Sequence, residues 1–201
     1  MDYSIVAKKI IKLKNIDISF RDKLIDEGQL GKGYHPEMEA LHIHNAEQLN
    51  EIIETIGYPT IDKVGVEANN AAWLIIQHAI SLPYFMKMCA EQLRQAVKNQ
   101  QADPQQLAYL SDRIAIFEGR PQLYGTSFDW DEYGELSPQL YDDIVKVDAR
   151  RRDLGMNSLS EQTKVIREQA RREYQSPPDN IVERNKEYQH WRQRVGWIST
   201  P

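Results

Sequence analysis

Within "EANNAAWLIIQHAIS", residues 67–81, one imidazole and several amides share a helix that is otherwise almost wholly apolar. At about 100° per residue, Glu67, Asn70, Gln77, His78 and Ser81 fall within one arc of about 100°, with Leu74 among them. Imidazole titrates near neutrality, so His78 is available as a general acid or base, with Asp112 or Glu67 to orient it. Apart from Glu67 the stripe lacks the charged residues that normally fill an exposed face, which suits a wall turned toward a ligand. The alternatives are an ordinary solvent face, or a neutral histidine satisfied within the core.

Two further segments supply partners. Asp112 and Arg113 lie away from the Leu107, Leu110, Ile114 and Phe117 stripe, on a face shared with Tyr109 and Ile116. That position suits a carboxylate and guanidinium that anchor the segment following them. In "GRPQLYGTSFDWDEYGEL", residues 119–136, Tyr124, Thr126, Phe128 and Trp130 alternate with smaller or acidic residues, the period of a strand. A small β-hairpin is expected near residues 122–136, with Gly125 where another backbone or a ligand comes close. This hairpin would bring Gln122, Tyr124 and Thr126 toward the helix of Gln77 and His78. The candidate catalytic pair is His78 and Asp112, and Asn70, Gln77, Arg113, Gln122, Tyr124 and Thr126 are candidates to hold a polar substrate.

Other chemistries have less support. His35, His42 and His44 with Glu37 and Glu39 have a metal-ligating composition, but their spacing matches no HExxH-like motif. His42 and His44, two apart, cannot share a helix face, so no metal or other cofactor is expected. No GxGxxG, GxxxxGK or GxSxG occurs. Arg150, Arg151 and Arg152 suit either an anion or a solvated helix end.

The elements that must position these groups read as helices. The first thirty or so residues carry Ile5, Ile10, Ile11 and Leu13 at near-helical spacing, until "EGQLGKGYHP" interrupts. A second helix is predicted from Asn45 as N-cap, with Gln48 at the capping-box position, to Gly57. "YPTIDKVG" reads as a turn. The helix over residues 67–80 and the one that begins at Pro83 should pair as a tight hairpin. Asp103, Pro104 and Gly119 delimit the next helix. A short helix ends at Gly155, another is capped by Ser158 or Ser160, and "QSPPDN" leads to a last amphipathic segment with Asp179 as a possible N-cap. The expectation is a mainly α protein, a single domain of about six to eight helices over residues 1–175, with a linker and helical appendage at 176–201.

Composition agrees. The 201 residues are 41% hydrophobic and 27% charged, outside the regime of disorder. A net charge of −5 disfavours phosphate backbones, which makes nucleic acid an unlikely partner. Lone Cys89 sits in an apolar helical pattern and reads as a core residue. With no signal-peptide pattern and no apolar run of about 18 residues, a soluble, cytoplasmic protein is expected, with no membrane partner.

The blocks "GYPT", "AAWLIIQHA", "YLSDRIAIFEGRPQLYGT" and "VDARRRDLGM", in this order over about residues 45–160, resemble an uncharacterised bacterial family, domain of unknown function 6624. The resemblance implies that Gln77, His78, Asp112, Arg113, Gln122, Tyr124, Gly125 and Thr126 are its recurrent motif positions. Ser127 replaces the family's usual glutamine, and Tyr58 a common tryptophan. The resemblance implies no activity. Two functions remain from the residues: an enzyme, with hydrolysis of a small polar substrate as the default, or a non-catalytic binding module. In the second, the same side chains form a hydrogen-bond network and Phe128, Trp130 and Tyr133 face a protein partner.

Overall fold

The structure, a computed structural model, describes residues 2–29 and 33–199. Among these residues it has eight helices and one two-stranded antiparallel hairpin, the mainly α architecture that the patterning predicts. No described helix is long and apolar enough to cross a membrane. The chain divides into two compact units, residues 1–103 and 104–201.

The first unit holds α1 (Tyr3–Asp26), α2 (Pro36–Ile56), α3 (Ile61–His78) and α4 (Pro83–Lys98). Asp2 caps α1 by accepting from the Ser4 N–H, and the buried positions Ile10, Leu13, Asp17 and Leu24 recur at intervals of 3, 4 and 7. That is one continuous helix face. α2 begins at Pro36, not at Asn45. Proline in the first turn needs no backbone donor, and Asn45 is an interior residue whose amide donates to the Leu13 carbonyl of α1 at 3.3 Å.

α3 also starts earlier than expected. Ile61–Val64 form a helical turn after Thr60, Gly65 breaks it at φ 79°, and the helix then runs on to His78. Only glycine takes that backbone conformation without strain. α3 is apolar over most of its circumference, so it packs on α1, α2 and α4, and its most extensive partner is α1 rather than α4. Ile75, Ile76, Met86, Cys89 and Leu93 are among the buried core. Cys89 is fully buried, and burial pushes its thiol well above the ordinary range.

The second unit holds α5 (Pro104–Phe117), β1 (Phe128–Trp130), β2 (Leu136–Pro138), α6 (Ile144–Asp153), α7 (Leu159–Arg172) and α8 (Ile181–Val195). α5 ends as predicted, with Gly119 at φ 72°. Ser158 is the N-cap of α7 in a complete capping box with Glu161, and Asn180, not Asp179, caps α8. The segment expected as an appendage carries Trp191 and Trp197 onto Phe117, with ring centroids 5.5 and 4.9 Å away. Arg192 donates from Nη1 to the Ile116 and Phe117 carbonyls, which satisfies acceptors that the end of α5 leaves open.

The hairpin pairs Phe128 with Pro138, Asp129 with Ser137 and Trp130 with Leu136. Its turn is organised by Asp131, which accepts from the Tyr133 and Glu135 N–H groups and from the Ser137 hydroxyl. The Ser137 and Glu135 hydrogen bonds, helped by Tyr133 and Arg167, hold the Asp131 carboxyl below its ordinary value. A lowered folded-state value means that the ionised form stabilises the turn above about pH 4, and that this contribution is lost as pH falls further. The Tyr133 and Glu135 amide resonances should therefore move together below about pH 4. Constant shifts there, or the same movement in Asp131→Asn, would contradict this role.

Candidate functional site

The first unit brings three titratable side chains together from three helices. Asp17 of α1 is 1% exposed and His42 of α2 is 8% exposed, whereas the His78 side chain at the end of α3 is 24% exposed. Asp17 Oδ2 lies 2.9 Å from His78 Nδ1 and 3.3 Å from His42 Nε2. The contact to His78 is a hydrogen bond across 61 residues of sequence. The His42 and His78 rings have centroids 4.8 Å apart. On the far side of His42, Nδ1 is hydrogen-bonded to the Tyr34 hydroxyl at 2.7 Å.

The helices dictate this arrangement. Asp17 occupies the Ile10–Leu13–Leu24 face of α1, so its carboxylate must point inward, and His42 stands on the Met38–Ala46–Leu49 face of α2. Burial raises the Asp17 carboxyl, but the imidazoles of His42 and His78 outweigh it and hold the group well below the ordinary carboxylate range. Two atoms in the cluster, Asp17 Oδ1 and His42 Nε2, are buried without a hydrogen-bond partner. Each such atom ordinarily costs about 1–3 kcal/mol. Nearby, the Ser81 hydroxyl donates to Glu39 Oε1 at 2.5 Å.

The predicted polar stripe on α3 is divided by this packing. Asn70 and Glu67 are exposed, Gln77 is buried, and Ser81 lies beyond the end of the helix. The carboxylate hydrogen-bonded to His78 is that of Asp17.

Asp112 lies in the second unit, fully buried on α5. Its carboxylate accepts from the N–H groups of Leu123, Tyr124 and Thr126 and from the Thr126 hydroxyl, at 2.8–3.2 Å. Burial pushes this carboxyl above its ordinary value against the pull of those donors. Gln122, also fully buried, donates from Nε2 to the Ser127 and Gln139 carbonyls and accepts from the Ser127 N–H. Arg151 donates to the Tyr124 carbonyl and to Asn157. Residues 122–127 are thus held by side chains, together with a single backbone bridge of Gln122 to Leu140 and Asp142 and a bond from the Gln139 N–H to the Ser127 carbonyl; the hairpin ladder begins at Phe128. Arg113 is half-buried. What approaches Gly125 closely is the Leu159 side chain. Of the three consecutive arginines, Arg150 reaches Asp142 and the Leu123 carbonyl, Arg151 is internal, and Arg152 is exposed.

His42 and Asp17 are site residues that motif spacing misses. A carboxylate and an imidazole each sitting in the apolar stripe of its helix was the available signal.

The model of a family described as a family of unknown function, DUF6624, matches residues 6–172, a longer span than the motif blocks cover and one that includes Asp17. No curated protein and no solved structure matches the chain.

Proposed function

The chain belongs to DUF6624, and from that premise we propose that its first unit carries an enzyme active centre at Asp17, His42 and His78 that hydrolyses a small polar substrate. The observation that carries this reading is the hydrogen bond between the Nδ1 of a part-exposed imidazole and the buried carboxylate that accepts from it. Asp17 fixes the ring and favours the tautomer with the proton on Nδ1, which leaves Nε2 as the nitrogen that meets water and substrate. Water attacks a carbonyl or phosphoryl centre, its proton passes to Nε2, and the same proton is returned to the leaving group. The unpartnered atoms around Asp17 support the reading, because a purely structural network does not need to retain them.

Asp112, Gln122, Tyr124 and Thr126 belong to the scaffold of the second unit in this reading, since their hydrogen bonds tie the 122–127 segment in place. An interaction module remains the second reading, favoured by Tyr133, 83% exposed at the tip of the hairpin. A reducing, cytoplasmic setting belongs to the proposal and is supported by the lone buried thiol of Cys89.

A panel of ester, amide and phosphoester substrates tests the enzyme reading. The parent should turn over at least one class, and His78→Gln should lose about 10²–10⁴-fold in rate while keeping its fold. An inert parent, or equal turnover by His78→Gln, sinks the proposal.

A further inference from the structure

We infer that Asp17, His42 and His78 bind a divalent transition-metal ion. The inference rests on reading this cluster as the active centre and adds the cofactor: with an ion held there, His78 Nδ1 would carry no proton, and a water on the ion would take the place of His78 Nε2 as the base. One donor atom from each of the three residues lies within 4.8 Å of the others, and Oδ2 of Asp17 is 2.9 and 3.3 Å from the two imidazole nitrogens. Donors that stand about 2.0–2.2 Å from zinc in a tetrahedral arrangement are separated by roughly this much, so a small inward or outward adjustment of side chains suffices.

Independent of these distances, the unsatisfied atoms point the same way. Asp17 and His42 are both more than nine-tenths buried, yet Asp17 Oδ1 has no hydrogen-bond partner, and His42 Nε2 has only the 3.3 Å contact to Asp17 Oδ2. Buried acceptor capacity left over on a carboxylate beside two imidazoles is what a cation would use. Tyr34 completes the pattern. Its hydroxyl engages His42 Nδ1, the outer partner that fixes a ligating imidazole with its other nitrogen toward the ion.

Two imidazoles and one carboxylate suit zinc, iron, cobalt or nickel rather than calcium or magnesium, which prefer all-oxygen sets. Three protein donors leave at least one coordination position for water, the mark of a catalytic rather than a structural site. The donors are far apart in sequence, which is why local spacing does not reveal them.

The test uses the full chain after treatment with a chelator, titrated with Co²⁺ alone and followed by its visible absorption, then by displacement with Zn²⁺. One equivalent should bind. His42→Ala and His78→Ala should abolish the band, and Tyr34→Phe, which keeps all three donors, should weaken binding by about 10–100-fold. Circular dichroism checks that each variant is folded; if His42→Ala is not, Tyr34→Phe and His78→Ala decide. No uptake by the folded parent, or equal uptake by the parent and the folded histidine variants, overturns the ion site.

The two readings separate cleanly. Hydrolysis that persists in chelator and is lost in His78→Gln removes the ion and keeps the active centre. Stoichiometric Co²⁺ binding without turnover of any substrate keeps the ion and removes the hydrolytic activity.

Discussion

Asp112→Ala is expected to lower the stability of the second unit by about 3–5 kcal/mol, because several buried donors lose their partner at about 1–3 kcal/mol each, partly offset by relaxation of the loop. Three backbone N–H groups, of Leu123, Tyr124 and Thr126, and one hydroxyl converge on this fully buried carboxylate. Backbone pairing holds the ends of the 122–127 segment at Gln122 and Ser127, and the stretch between them relies on this carboxylate and on Arg150 and Arg151. Asp112→Asn keeps one acceptor oxygen and should lose less. Three of the four tryptophans, Trp130, Trp191 and Trp197, lie in this unit, so urea unfolding followed by tryptophan fluorescence reports on it. A midpoint shift equivalent to less than about 1 kcal/mol would show that the loop does not depend on the carboxylate.

Gly125→Ala should be almost as damaging, for reasons of shape. Gly125 has φ +64°, and a Cβ there would stand 2.8 Å from Cδ1 and 3.0 Å from Cδ2 of Leu159. The left-handed backbone costs a non-glycine residue about 1–2 kcal/mol, and forced overpacking about 1–3 kcal/mol more. Leu159 cannot swing aside easily, because it is 2% exposed at the first position of α7 and its N–H is held by Asp148. In the Gly125→Ala/Leu159→Ala double variant the steric part should vanish and the backbone part remain. The double variant should thus lose about 1–3 kcal/mol less than the two single losses together. Strict additivity, or a neutral Gly125→Ala, contradicts the contact.

Asp112 is a residue that the motif reading marks for catalysis, and Gly125 one that it marks for close approach by another backbone or a ligand. In the second unit the polar motif side chains are engaged by their own loop, so the same conspicuous residues that suggest a pocket serve as its ties. Arg151 shows how little local context decides. A run of three arginines looks solvated, yet the middle one is 1% exposed, with its donors on Tyr124 and Asn157.

The helices themselves were legible because their signals are local. Pro104 and Gly119 bound α5, Ser158 and Glu161 form the cap of α7, and apolar residues at intervals of three and four give each helix its inward face. Local signals also misled where two readings compete. Asn45 has the chemistry of an N-cap, but Pro36 already starts α2, and Asn45 serves instead as a cross-link to α1.

By itself the sequence determined that this is a mainly α protein and that His78 lies on a nearly apolar helix, but not that Asp17, His42 and His78 would be neighbours. Only the tertiary structure decided that those three meet. Periodicity fixes which face of a helix turns inward, because it depends on neighbours three and four residues away. Which buried polar group it finds there depends on how α1, α2 and α3 pack, and so on contacts between residues as far apart as Asp17 and His78.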